Sequence, residues 1–236
     1  MTSELETSEP SGILLVNKPR GKTAFSLIAA LRKRINVRKI GHAGTLDPFA
    51  TGVMVLLVGK KYTTLSDKFL CQDKEYLAEI QLGISTDSYD CDGQVLQTSD
   101  IIPSLEELIA ELRHFQGTIE QIPPMFSAKK VNGKKLYEYA RKGKDIPRQA
   151  VKVHVETELL QYSYPRIILR VSCSKGTYIR SLAHDLGQKL RCGAHLTELK
   201  RLRSGNFRLE DCIDGKRLES IEFDRSSFFK CVYANA

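Results

Sequence analysis

The sequence predicts an α+β fold: a mixed, largely antiparallel central sheet with flanking helices. Three observations carry this expectation. Alternating and continuously apolar segments, the marks of strands, are interleaved with segments of helical spacing. Hairpin-type turns recur between the strand segments, which argues against a doubly wound parallel sheet. The chain has 236 residues, 42% hydrophobic and 27% charged, enough to bury a core without metal or disulfide staples.

The elements follow in chain order. Residues 12–18 form a short buried strand, ended by Pro19 and Gly21. Thr23 caps a helix whose Leu27, Ile28, Leu31 and Ile35 recur at helical spacing, leaving Arg32, Lys33 and Arg34 toward solvent. A glycine-rich loop over 40–52 leads into the apolar run 53–58, a central strand closed by Gly59. Tyr76, Ala78, Ile80 and Leu82 alternate with polar residues, the period of a half-buried strand. A turn over 85–93, rich in Asp, Ser and Gly, leads to a partner strand at 94–97. Ser104 and Glu107 make a capping box that opens a helix running through His114. Asn132-Gly133 is a hairpin turn, followed by a helix carrying Leu136, Tyr137 and Tyr139. Strands are expected at 151–155 and 167–171, and a helix over 177–190 stopped at Gly193. No repeat, low-complexity tract or linker follows residue 11.

Several classes of protein are excluded. The longest apolar stretch, 53–58, is far shorter than the roughly 18–20 residues of a membrane helix. Residues 1–10 carry three acids and no base, the reverse of a secretory leader. A cytoplasmic protein with a disordered leader over 1–11 is expected. Cys71, Cys91, Cys173, Cys192, Cys212 and Cys231 are nowhere closer than 19 residues apart, so no local metal-ligand pair exists, and free thiols are expected.

The net charge of +8 is unevenly spread. Residues 12–42 hold eight bases and no acid, whereas 66–120 hold twelve acids and three bases. Basic character returns over 127–152, which includes Lys129 and Lys130, and again at Lys200, Arg201, Arg203 and Arg208. One such run is ordinarily a solvated face. Three basic blocks beside one acidic block suit a polyanion bound through phosphate contacts, which makes nucleic acid the leading partner.

The loop at 41–52, Gly-His-Ala-Gly-Thr-Leu-Asp-Pro-Phe-Ala-Thr-Gly, carries the chemistry. Its glycines allow close approach of a ligand, and Pro48 stiffens the chain directly after Asp47. Asp47 is the only acid between Glu9 and Asp67. A carboxylate facing phosphates adds repulsion, so it is a poor choice for binding alone, although an Asp before Pro equally caps a turn.

This loop resembles the corresponding motif of the TruB family of tRNA pseudouridine-55 synthases. The resemblance extends through residues 12–21, 73–78 (Asp-Lys-Glu-Tyr-Leu-Ala), 122–128 (Ile-Pro-Pro-Met-Phe-Ser-Ala), 133–141 and 173–182 (Cys-Ser-Lys-Gly-Thr-Tyr-Ile-Arg-Ser-Leu), in family order from about Gly12 to Phe207. It implies isomerisation of a uridine in the tRNA T loop, without guide RNA or cofactor. No metal and no membrane are expected from the sequence itself, and the default expectation is a monomer. Asp47 matches the family's catalytic aspartate, a group able to act as nucleophile or proton acceptor. Tyr76 would stack on the extruded uracil. Tyr178 and Arg180 match the active-site motif, with the arginine set against the catalytic carboxylate, and Leu199 matches a leucine beside the base. His42 would hold the T loop open by filling space left by flipped bases. Lys18 would support the loop or touch phosphate, and Arg32, Lys33, Arg34, Lys129 and Lys130 would bind RNA.

The resemblance further implies a catalytic domain over 12–210; the chain departs from the family pattern at its end, where a short extension over 211–236, packed on that domain, is expected in place of the C-terminal RNA-binding domain of many members. Two other readings compete. A non-catalytic RNA-binding or tRNA-chaperone module would need no carboxylate paired with arginine. A glycosidic-bond hydrolase would use a similar carboxylate but admit water.

Overall fold

The computed structural model describes residues 10–233, so residues 1–9 of the expected leader lie outside the described part. The described residues divide into two compact units, residues 10–74 with 200–233, and residues 75–199.

The first unit begins with β1 (Gly12–Lys18), α1 (Ala24–Ile35), β2 (Ile40–His42) and β3 (Thr51–Val58), then two short helices, α2 (Lys60–Thr63) and α3 (Ser66–Leu70). β1 and β3 pair antiparallel along their whole length, from Gly12 opposite Val58 to Lys18 opposite Gly52. Both are apolar nearly throughout because both faces are covered: Ile13, Leu15, Val53, Val55 and Leu57 pack with Tyr62, Phe69 and Phe207, and the alternate residues Leu14, Val16, Met54, Leu56 and Val58 are buried as well. Thr23 and Ser26 form a capping box on α1, which buries Leu27, Ile28, Leu31 and Ile35 as the spacing predicts.

The second unit holds β4 (Lys74–Leu82), the ribbon of β5 (Ile84–Thr86) and β6 (Val95–Thr98), and α4 (Leu105–Leu112). It continues with β7 (Gly117–Gln121), the small hairpin of β8 (Lys130–Val131) and β9 (Lys134–Lys135), and α5 (Leu136–Ala140). It ends with β10 (Val151–Ser163), β11 (Arg166–Cys173), α6 (Ile179–Lys189) and the first half of β12 (Ala194–Ser204). Within this unit the strand order is β12, β4, β11, β10, β7. β10 pairs antiparallel with β7 through its first five residues and with β11 from Val155 onward. Asn132 and Gly133, with φ of 51° and 78°, make the tight turn expected of them between β8 and β9.

Past Leu199, β12 belongs to the first unit, where Lys200 and Arg201 pair in parallel with Thr51 and Gly52. β13 (Phe207–Arg208), β14 (Ile213–Asp214), α7 (Arg225–Cys231) and β15 (Val232–Tyr233) follow. β14 and β15 both add to β1. Phe223 and Phe228 are buried, while the side chains of Phe229 and Tyr233 lie outside the described part.

The α+β class and its mixed, largely antiparallel sheet hold, with five differences in detail. The loop expected over 40–52 is shorter, because Ile40–His42 pair with β3 as β2 and Thr51 and Gly52 open β3. The strand expected at 94–97 is β6, but its partner is the short β5, and every residue of β6 is exposed. The helix expected through His114 is α-helical only to Leu112 and tightens into a 3-10 turn over Arg113–Phe115. β10 and β11 run well past the alternating cores that signalled them, pairing from Val155 opposite Cys173 to Ser163 opposite Arg166 across a register shift between Leu159 and Gln161. β7 and β12 were not foreseen. β7 has a single large apolar residue, Ile119, and β12 is interrupted by charges, so both owe their form to strand partners rather than local pattern.

Candidate active site

The loop carrying Asp47 lies where β3 changes partner. The second half of β3 pairs with β2 and its first half with β12, and the chain between His42 and Thr51 leaves the ladder. The Ala43 amide donates to Val55 O (3.0 Å) as the chain departs. On its return Gly52 has a φ of 105°, and a Cβ there would fall 2.2 Å from the Arg201 carbonyl oxygen. Only glycine lets β12 approach β3 this closely.

Two buried cations hold the loop. Lys18, the last residue of β1, is fully buried, and its Nζ donates to Lys22 O (2.6 Å), Pro19 O (3.1 Å) and Pro48 O (3.1 Å). An ammonium has three N–H groups, and all three are used, so none is left for a phosphate. The Lys18 pKa is lowered to about 8, chiefly by burial; the neighbouring Asp47 carboxylate opposes this shift and the Arg201 charge adds to it. Arg201, 1% exposed, donates from Nε to Val53 O (2.7 Å) and from Nη2 to Gly44 O (3.3 Å), so it ties both ends of the loop. The basic block at 200–208 thus contains one residue that is core rather than surface. Within the loop the Ala50 amide donates to Asp47 O (3.1 Å) and the Gly21 amide to Pro48 O (2.8 Å). Asp47 is half-buried on a segment fixed at each end and in the middle.

His42 precedes the loop. Its ring meets Phe25 of α1 edge-on, with centroids 6.1 Å apart at 87°. Burial and then the Arg201 charge lower its pKa, so the ring is neutral at pH 7 and offers shape rather than charge. On α1, Arg32 and Lys33 are exposed, whereas Arg34 is half-buried and donates to Glu219 O (2.8 Å).

In the second unit Tyr76 lies on the buried face of β4 with Ala78, Ile80 and Leu82, and Leu199 is buried on β12. Tyr178, half-buried, stands at the N-terminus of α6. The Gln121 side chain holds this junction: its Oε1 accepts from the Tyr178 amide (2.7 Å) and its Nε2 donates to Tyr178 O (2.9 Å). Ser181 Oγ donates to Ile122 O (2.8 Å). Arg180, 4% exposed, donates to Ser88 O (3.0 Å) and Phe126 O (2.7 Å), and its Nη1 lies 3.5 Å from Asp90 Oδ2. Asp90 in turn accepts from Ser88 Oγ (2.6 Å) and the Asp92 amide (3.1 Å). Removing one partner of so buried a pair typically costs about 3–5 kcal/mol. Asp90 and Gln121 escaped the sequence reading. The one sign of Asp90 was its place in an Asp- and Ser-rich turn, and Gln121 gave none.

Lys129 is half-buried, and Lys130 is exposed at the start of the β8–β9 hairpin. Among the described residues no group of three or more His, Cys, Asp and Glu is placed to hold a metal ion, and no helix is long and apolar enough to cross a membrane.

This combination of fold and loop has counterparts in known proteins. The structure superposes on a chain of a Cbf5-Nop10-Gar1 complex with a TM-score of 0.70 at 29% identity, covering 94% of this chain and 59% of that one. It also matches a chain of an H/ACA RNP bound to a substrate RNA containing 2'-deoxyuridine, with a TM-score of 0.68 at 27% identity, covering 94% of this chain and 58% of that one. The profile of the TruB family pseudouridylate synthase N-terminal domain matches residues 32–179, and that of the tRNA pseudouridylate synthase B C-terminal domain matches residues 180–230. These place the chain among the pseudouridylate synthases. Curated relatives named tRNA pseudouridine synthase B include one from Protochlamydia amoebophila, 63% identical over 91% of this chain and 82% of that protein. Another, from Chlamydia pneumoniae, is 58% identical over 99% of both chains. The chain belongs to the TruB family.

Proposed function

We propose that this protein isomerises uridine to pseudouridine in tRNA, at position 55 of the T loop, with Asp47 as the catalytic carboxylate. The C1′–N1 glycosidic bond breaks, the uracil turns, and a C1′–C5 bond forms while C5 loses its proton and N1 gains one, so mass is unchanged. The observation that carries the role of Asp47 is its setting: the one carboxylate in a long basic segment, on a loop pinned by Lys18 and Arg201. Such anchoring holds a reacting group in position before substrate arrives, which lowers the entropic part of a barrier.

The other roles follow from the family motifs. Tyr76 stacks on the flipped base, Leu199 packs beside it, and Tyr178 and Arg180 belong to the same base-binding set. Lys18 supports the catalytic loop, His42 fills space in the T loop, and Arg32, Lys33, Arg34, Lys129 and Lys130 meet phosphates. Residues 12–210 form the catalytic part, with 211–236 as its extension. The enzyme works in the cytoplasm as a monomer, without cofactor or guide RNA.

The test is incubation with unmodified tRNA transcript, followed by carbodiimide labelling and nucleoside mass spectrometry. Pseudouridine at the T loop is expected, whereas an abasic product indicates hydrolysis and an unchanged RNA indicates binding alone. Asp47→Asn is expected to abolish product and keep tRNA binding. A fully active variant removes Asp47 from the chemistry.

A further inference from the structure

The exposed face of α1 carries a feature that the site described above does not use. Phe25 is 73% exposed, and among the phenylalanines whose side chains are described it is the one classed as exposed. A helix that buries Leu27, Ile28, Leu31 and Ile35 leaves this ring in water, although burying a Phe is ordinarily worth roughly 1.5–3 kcal/mol. The ring stands perpendicular to that of His42, the residue that leads into the Asp47 loop, with centroids 6.1 Å apart. Ala29, Arg32 and Lys33 are also exposed and lie four, seven and eight positions beyond it, on the same face of the helix. The side chains of Arg32 and Lys33 have no hydrogen-bond or ion-pair partner among the described residues. No acid occurs on α1 or anywhere else in 12–42. Lys22 and Arg34, by contrast, are tied to Glu219.

An exposed aromatic, a small residue and two unpaired cations in line make the arrangement that holds single-stranded nucleic acid: a flat platform for a base and charges for the backbone beyond it. We propose that this face binds an unpaired stretch of the RNA substrate, with Phe25 stacking on one base and Arg32 and Lys33, about 10 Å farther along the helix axis, holding phosphates. The proposal rests on the reading of RNA as substrate and adds to it a binding residue outside the catalytic loop. A stacking contact is sequence-tolerant and insensitive to salt, whereas phosphate contacts release counterions and depend on it. The two parts of the track are therefore separable by experiment.

The experiment measures affinity for unmodified tRNA over a series of salt concentrations for the parent and for Phe25→Ala, Phe25→Leu and Phe25→Trp. Phe25→Ala is expected to weaken binding roughly 5- to 150-fold, the range for loss of one stacked base. Its plot of log affinity against log salt should lie parallel to that of the parent. Phe25→Leu, apolar but without a ring face, should be as weak, and Phe25→Trp should bind at least as well as the parent. Because the chain has no tryptophan, the indole of Phe25→Trp is also the sole one, and its emission should be quenched when RNA is added. Unchanged circular dichroism and melting temperature are expected for Phe25→Ala, since the side chain is exposed. Binding of Phe25→Ala within twofold of the parent, a loss that appears only as a changed salt slope, or indole emission unmoved at saturating RNA overturns the stacking role. If the parent itself neither binds nor modifies tRNA, the functional reading fails. If the parent modifies tRNA and Phe25→Ala matches it in binding, only the Phe25 assignment fails.

Discussion

Lys18 shows how one side chain can decide the geometry of a loop thirty residues away. Its three donors bridge the end of β1, the turn before α1 and the carbonyl directly after Asp47. Lys18→Met is expected to lower stability by about 2–4 kcal/mol, since it strands buried carbonyls. The pH dependence has a definite sign. The folded-state pKa of about 8 lies below the ordinary 10.5, so between those values the unfolded chain binds more protons and the Lys18 contribution to stability rises with pH. Denaturant midpoints of the parent and of Lys18→Met should therefore diverge further at pH 10 than at pH 7, and a gap that narrows would contradict the buried, charge-penalised state. Asp47 itself was legible in the sequence because its signals are local: glycines on both sides, a proline next to it, and no other acid nearby. Asp90, which pairs with Arg180 ninety positions along, and Gln121, whose amide clamps Tyr178 across 57 residues, were not legible, because nothing near either residue names its partner.

Among the elements, β3 and β12 show what local pattern can and cannot specify. The apolar run 53–58 announces β3, and Thr23 and Ser104 announce their helices, because capping and burial act within a few residues. β12 was hidden by Lys200, Arg201 and Arg203, which read as a solvated basic run. Their strand form depends on pairing with β3, and Arg201 is buried because its guanidinium finds carbonyls at both ends of the Asp47 loop. The approach of the two strands makes Gly52 critical. Gly52→Ala has to accommodate a Cβ 2.2 Å from a backbone oxygen at a φ of 105°, so the strands must separate. A loss of about 3 kcal/mol or more is expected, read as a lowered melting temperature with impaired tRNA modification. A melting temperature equal to the parent's would show that β3 and β12 do not approach as described.

At the scale of the whole molecule, charge is the property that composition reports best and placement refines most. The surplus of +8 pointed to a polyanion, and the family match is consistent with RNA as that polyanion. The useful part of the surplus is smaller than the count, since Lys18 and Arg201 are buried in service of the loop and Arg34 is partly engaged. Reversing Arg32, Lys33 and Arg34 to Glu is expected to weaken tRNA binding and to flatten its salt dependence, by roughly 0.7–0.9 in slope for each phosphate that is no longer neutralised. An unchanged slope, measured by filter binding across salt concentrations, would remove α1 from the electrostatic footprint. The sequence by itself determined the fold class, the capped helices, the apolar central strands and the identity of the loop with its carboxylate, all features set by contacts within a few residues or by composition. Only the tertiary structure decided which bases are core and which are surface, that Asp90 pairs with Arg180, and that Phe25 stands in solvent beside His42. Burial and long-range pairing depend on what the chain brings back to the same place, and a linear pattern does not carry that information.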